Sequence, residues 1–333
     1  MTTITNDYHN EGNQKRLQDI HSKRTSSTET VQAIVKQAIG KEALSYDRII
    51  AGEVNEVYLV HFQDSDDVVL RIGHNESRTF ASETWAIEQA GKAGVPVAKI
   101  LATGTITNED KKLSYSVQEK IHGQRFDTLL WTKQIEPTRA KRITEQAGEV
   151  LAKIHSVTAT AGYGSIDEHG QGQFASRQDW VQQHISMQPT YERLFQQYGM
   201  THDTFDAVIA KLQQATKLFT SSPHLLHIDY GPKHIFVGDD DEITGIIDFE
   251  RAESGDSAMD FASWHFWFDK AVPTEWLYDG YKKVGNLGDN FEKRLQLAKL
   301  HELLHLIRYY TDVAPAPQAA IDAAKAIRAM VFH

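Results

Sequence analysis

Strand-like alternation of apolar and polar residues is concentrated in the first third of this 333-residue chain. The runs fall at 46–50, 54–62, 68–72, 97–105 and 113–121, separated by polar turns such as Gln63-Asp64-Ser65-Asp66-Asp67. A long amphipathic pattern from Glu76 to Ala93, stopping at Gly94, predicts a helix between the third and fourth runs. Ahead of them, Thr30–Ile39 has helical spacing up to Gly40, and residues 1–30 are polar, frayed or partly helical. Beyond Gly123 the period becomes helical, at 138–156, 204–219 and from Asp260 onward. A short strand pair at 235–237 and 243–249 interrupts it. A sheet-rich start and a helix-rich remainder predict an α+β chain of two units, 1–121 and 122–333, hinged near Glu119–Gly123. At roughly 100–200 residues per domain the length agrees.

Composition removes several classes of function. The chain has no cysteine, so disulfides, thiolate metal sites and a cysteine nucleophile are excluded. A net charge of −10 argues against a nucleic-acid partner. The polar N-terminal segment predicts no secretory signal. The lack of any run of ~18 apolar residues predicts no membrane-spanning helix. A cytoplasmic protein with no obligate protein partner is the expectation.

The strongest chemical signal is His227-Ile228-Asp229-Tyr230-Gly231-Pro232-Lys233-His234, followed by Ile246-Ile247-Asp248-Phe249. Phosphoryl transfer rests on positioning and charge neutralisation. One carboxylate must orient the attacking hydroxyl and accept its proton, and another must hold a Mg²⁺ ion. A third ligand five residues after the first carboxylate completes the metal shell. Asp229, Asp248 and His234 occupy those three slots, and the intervening strand pair would carry both carboxylates to one sheet edge.

This segment resembles the aminoglycoside phosphotransferase family, which carries a His-Gly-Asp-x-x-x-x-Asn loop and then Ile-Asp-aromatic. The likeness continues in Gly255-Asp256-Ser257-Ala258-Met259-Asp260-Phe261-Ala262. Thr160-Ala161-Gly162-Tyr163-Gly164 brings it nearest to hygromycin-type enzymes. The resemblance covers roughly residues 45–310. It implies a two-lobed protein-kinase-like fold with a small antiparallel-sheet N-lobe and a larger, mainly helical C-lobe. It also implies ATP, or GTP in its place, with Mg²⁺ and a small-molecule hydroxyl acceptor. The acceptor could be an aminoglycoside-like antibiotic, a macrolide, or a metabolite such as a sugar, amino alcohol or fructosamine.

Further site residues follow from the same resemblance. Gly52, Asn55 and Val57 lie in or beside the expected nucleotide loop. Arg71 stands where a cation contacts phosphates, and Glu83 on the next helix holds it, with Glu76 as the competing partner. Adenine would meet the backbone of Glu119 and Ile121, with Val57, Val69, Phe236 and Ile247 around its ring. Glu250, Glu253, Asp269 and Glu302 could bind a cationic acceptor, and Trp264, Trp267 and Trp276 could stack on it. Asp260 is expected to cap the following helix and Asp256 to brace the catalytic loop.

Two departures lie in that loop. Ile228 stands for the family's Gly, and a β-branched residue there implies ordinary backbone angles. His234 stands for Asn, and imidazole suits Mn²⁺ or Zn²⁺ better than Mg²⁺. His234 could bind metal directly, bind it through water, or only fill space. A pseudokinase that has lost transfer through these changes is one alternative class. Another is a zinc hydrolase built on His301-Glu302-Leu303-Leu304-His305, whose histidines would share a helix face. That pattern is short and lacks a third ligand motif.

Overall fold

In the computed structural model the alternating runs form one antiparallel sheet. The described residues are 11–50, 52, 54–74, 79–108, 111–132, 135–159, 161–218 and 222–332. Strands β1 (Ser45–Ile49), β2 (Asn55–His61), β3 (Val68–Gly73), β4 (Ile100–Asn108) and β5 (Lys111–Glu119) order as β1-β2-β3-β5-β4. Period-two alternation sends successive side chains to opposite faces. Tyr58, Val60, Leu70, Ile72 and Val117 bury one face with Val31, Ile34 and Val35 of helix α2 (Thr28–Ile39), which follows helix α1 (Glu11–Ser22). The register Val57↔Arg71↔Ser116 runs along the other face. Helix α2 starts where the Ser27 hydroxyl accepts the Thr30 N–H and stops at Gly40, whose φ of 71° is left-handed. Helix α3 (Ala81–Lys92) is the predicted crossover. Residues 75–78, including Glu76, lie outside the described ones.

Glu56 ties the N-terminal helices to the sheet. Its fully buried carboxylate accepts bonds from Ser26 N (3.1 Å), Ser26 Oγ (2.9 Å), Tyr58 Oη and His74 Nε2. Burial pushes this carboxyl up, but the donors outweigh burial and hold it at about 2, below its ordinary 4.5. A depressed folded-state value stabilises the protein above the unfolded value, and that stability is lost as pH falls through the folded one. Glu56→Gln is therefore expected to cost about 3 kcal/mol at neutral pH. It should also flatten the loss of stability between pH 4.5 and about 2, a change denaturant melts across that range would read.

Past Glu119, β6 (Gln124–Arg125) leads into α4 (Phe126–Trp131) and α5 (Pro137–Ser156). A hairpin, β7 (Tyr163–Ile166) and β8 (Gly172–Phe174), precedes helices α6 (Arg177–Ser186), α7 (Gln188–Gln197) and α8 (His202–Leu218). Then come β9 (His224–Leu226), β10 (Ile235–Val237), β11 (Ile243–Ile246) and β12 (Glu253–Gly255). Helices α9 (Ala258–Phe268), α10 (Thr274–Val284), α11 (Phe291–Arg308) and α12 (Pro317–Phe332) close the chain. Helices α5 and α10 touch backbone to backbone, because a Cβ at Gly280 would sit 1.8 Å from Glu145 O. One core joins Ala86 and Ile87 of α3 to Leu151 of α5 and Phe261 of α9. No helix is long and apolar enough to cross a membrane, among the described residues.

Candidate active site

The pairing of β10 with β11 builds the centre. Ile235 opposes Ile246 and Phe236 opposes Gly245, so the residues flanking this pair, His234 and Ile247, are joined by the Ile247 N–H to His234 O bond at 3.0 Å. Asp248 follows with φ 72° and ψ 56°, a left-handed conformation that turns the chain out of the strand. On the other side, the 3₁₀ turn Pro232–His234 folds His234 back, and its Nδ1–H donates to Asp229 O at 2.9 Å. The His234 Nε2 then lies 3.2 Å from Asp248 Oδ2. Ligand atoms of Asp229, His234 and Asp248 all fall within 4.8 Å of one another.

A carboxylate from α9 holds this loop in place. Asp260 accepts the backbone N–H groups of His227 (3.0 Å) and Ile228 (2.6 Å), and meets His155 Nε2 at 2.9 Å. Asp256 instead accepts the Ala258 N–H at 3.0 Å and pairs with Arg294 at 2.6 and 2.7 Å. The expected roles are thus exchanged: Asp256 serves the helix start, and Asp260, already inside the first turn, braces the loop. The Ile228 expectation is also corrected. Its φ is 66°, in the left-handed region that costs a β-branched residue on the order of 1–2 kcal/mol. The Asp260 carboxylate grips its N–H in that conformation.

The sheet delivers the cation. Arg71 on β3 is buried and paired with Glu83 of α3, and its Nη2 lies 3.5 Å from both Asp248 Oδ1 and Glu250 Oε2. Asn55 Nδ2 donates to the same Glu250 carboxylate at 3.1 Å. Glu250 therefore belongs with Arg71 and Asn55, not with the acceptor as expected, because the 3₁₀ turn Phe249–Arg251 directs it toward the sheet. Val57, Val69, Phe236 and Ile247 are half-buried beside fully buried neighbours, and Ile121 lies over Gly245. Gly52 O meets His21 Nε2 of α1 at 3.0 Å. Glu119 ends β5, exposed, with its N–H on Lys99 O at 3.0 Å. Thr160, the first residue of the Thr160–Gly164 motif, lies outside the described residues, as do Ala51 and Glu53 on either side of Gly52.

Electrostatics keep both aspartates ionised. Burial pushes Asp229 up, but Lys233, His234 and Arg251 outweigh it and leave its carboxyl below the usual range. Burial acts on Asp248 too, and His234, Arg71 and Lys233 hold it well below that range. Lys233 Nζ sits 2.8 Å from Asp229 Oδ2, a contact the sequence reading overlooked although the residue stood inside the motif.

On the far side of Asp229 opens a cavity of about 160 Å³ lined by Ile228, Arg251, Glu253, His301, Glu302, His305 and Arg308, among others. Of the residues expected near an acceptor, Glu253 and Glu302 are here, and Trp267 Nε1 donates to Glu302 Oε1 at 3.4 Å. Trp264 is not: it is fully buried and donates to Val272 O at 3.0 Å. Asp269 is spent on the start of α10, accepting the Thr274 N–H at 2.9 Å. Trp276 packs half-buried against the core. Among the described residues, Asp229, His234 and Asp248 form the cluster able to close on a cation, and His301, Glu302 and His305 do not. Burial holds His305 at about 4 and His301 well below its ordinary value.

A five-stranded sheet over a helical lobe, with two ionised aspartates and an arginine at the junction, defines the kinase-like phosphotransferase class. The family model described as phosphotransferase enzyme family matches residues 46–293, and the chain belongs to that family. The hygromycin-B 4-O-kinase of Escherichia coli is 22% identical over 192 residues, which are 56% of this chain and 52% of that protein. The match thus spans about half of the relative's length. Aminoglycoside phosphotransferase APH(4)-Ia, solved with AMP-PNP and hygromycin B, superposes with a TM-score of 0.68 at 19% identity, covering 92% of this chain and 98% of that one. A protein assigned as a fructosamine-3-kinase, from Haemophilus somnus 129PT, gives 0.64 at 16% identity, covering 91% and 97%. These likenesses show the expected α+β, kinase-like fold.

Proposed function

We propose that the protein transfers the γ-phosphoryl group of ATP to a hydroxyl of a small molecule. The observation that carries this reading is the convergence of Asp229, His234 and Asp248 within 4.8 Å, with Arg71 reaching Asp248 from the sheet. Two carboxylates and an imidazole fit a divalent cation, and the imidazole favours Mn²⁺ over the harder Mg²⁺. When bound, that cation neutralises charge on the phosphates. Asp248 and His234 would hold it. Arg71, kept in register by Glu83, offers a charged fork to phosphate oxygens. Val57, Val69, Phe236 and Ile247 enclose the base, and the backbone of Glu119 and Ile121 meets its edge. Asp229 orients the acceptor hydroxyl and takes its proton as the new bond to the γ-phosphorus forms and the bond from that phosphorus to the β,γ-bridging oxygen breaks, releasing ADP. Its depressed pKa makes it a weak base, so orientation is the larger part of its work.

The printed function of the Escherichia coli relative supports an aminoglycoside-like acceptor. The fructosamine-kinase neighbour supports a metabolite reading, which the arginines of the cavity favour. The test is ADP release across a panel of hydroxylated acceptors, aminoglycosides included, with product masses measured. A product heavier by one phosphoryl group is expected. ADP release with no phosphorylated product from any acceptor would refute transfer to a small molecule.

Two variants probe individual roles. His234→Asn exchanges imidazole for a neutral oxygen donor, so the ratio of Mn²⁺-supported to Mg²⁺-supported turnover should fall. Lys233→Met removes the cation that favours the Asp229 anion. The carboxyl then titrates higher, and the acid limb of the kcat/KM profile should move to higher pH.

A further inference from the structure

Arg251 and Arg308 stand out in the cavity beyond Asp229. Both are half-buried and both line it, yet neither guanidinium makes a hydrogen bond or close ion pair with another described residue. They flank His305, whose pKa both depress after burial has done so. The carboxylates of Asp229, Glu302, Glu253 and Glu250 act on Arg251 without a direct contact, so both guanidinium forks keep N–H groups open to an anion, which a partly desolvated cation gains from meeting.

The other polar groups of the wall do not supply that anion. Burial and the nearby carboxylates push Glu253 up to about 7 despite Arg251. Glu302 is also raised by burial, although Arg251 opposes the rise. His184 and His305 are held at about 4 by burial. Burial therefore opposes charge on both acids and on the histidines, and the two arginines are the wall's permanent cations.

We propose that this cavity seats an anionic oxyacid group, a carboxylate or phosphate, of the acceptor between Arg251 and Arg308 while its hydroxyl faces Asp229. The inference rests on the phosphotransferase reading and narrows its substrate class. An arginine fork recognises such groups with two parallel N–H···O bonds. The same wall repels a polycationic acceptor. Ile228, turned into the cavity wall by its left-handed backbone, joins the anion pocket to the catalytic aspartate.

Three probes of one carbon skeleton test it: D-gluconate, D-sorbitol and D-glucamine, which are anionic, neutral and cationic. Each is titrated calorimetrically into the protein saturated with Mn²⁺ and AMP-PNP. D-gluconate is expected to bind about tenfold or more tighter than the other two, and Arg251→Met and Arg308→Met should each erase about tenfold of that preference. The charge-retaining Arg251→Lys and Arg308→Lys should keep most of it. Equal or weaker binding of D-gluconate, no measurable binding of it, or a preference untouched by both Met variants would overturn the inference. Thermal melts identify a variant that has lost its fold, and the other arginine then decides. Failure of AMP-PNP itself to bind would instead refute the phosphotransferase reading.

Discussion

Asp229→Asn is expected to lower the turnover number by a factor of roughly 10²–10⁴, the range a positioned general base supplies, with AMP-PNP affinity held within about twofold. The reasoning is local. Ile228, the neighbour of Asp229, lines the acceptor cavity, and Arg71 meets Asp248 across the site. An amide keeps the shape and loses the charge that accepts a proton. It also removes the anion that Lys233 meets at 2.8 Å. Steady-state kinetics and nucleotide titration on the same preparation separate the two effects. A loss confined to nucleotide affinity would move Asp229 out of the catalytic role.

Asp260→Ala is expected to be the most damaging change away from the reacting groups. Its carboxylate is fully buried and gathers two backbone N–H groups and one imidazole. Deleting it leaves three buried donors without a partner, at about 1–3 kcal/mol each before relaxation. A loss of about 3 kcal/mol or more in denaturant melts is the expected result. Asp260→Asn keeps an acceptor oxygen for part of this set and should lose less stability. Its turnover should still fall, because one amide oxygen cannot hold both the His227 and the Ile228 N–H of the strained turn. Equal stability of wild type and Asp260→Ala would remove the loop-bracing role.

The phosphoryl-transfer centre was legible because its chemistry dictates residue types at fixed spacing. Two acids and a ligand five residues on leave few alternatives, and β10 and β11 between them are a short apolar pair. The N-terminal sheet was legible through alternation, which a one-sided helix cover enforces residue by residue. Helix α6 escaped notice because Val181 and His184 are its only fully buried side chains, too few to mark a period. Strand β8 is three residues long and opens on glycine. The exchange of roles between Asp256 and Asp260 could not be read. Two carboxylates four residues apart at a helix start look alike until the loop beneath one of them is in place. Ile228 misled for a related reason: intrinsic backbone preference argued for ordinary angles, and tertiary hydrogen bonds to Asp260 overrode it. Arg251 and Arg308 are 57 positions apart in the chain, so only the docking of α11 behind the catalytic loop reveals that they share a cavity.

The most direct measurement is a crystal structure of the protein with Mn²⁺ and AMP-PNP, located by the anomalous scattering of manganese. The account predicts a manganese peak coordinated by Asp248 and His234. Arg71 should lie against the nucleotide's phosphates, and the terminal phosphate should face Asp229. Manganese at His301 and His305, or a nucleotide bound away from Asp248, would contradict it.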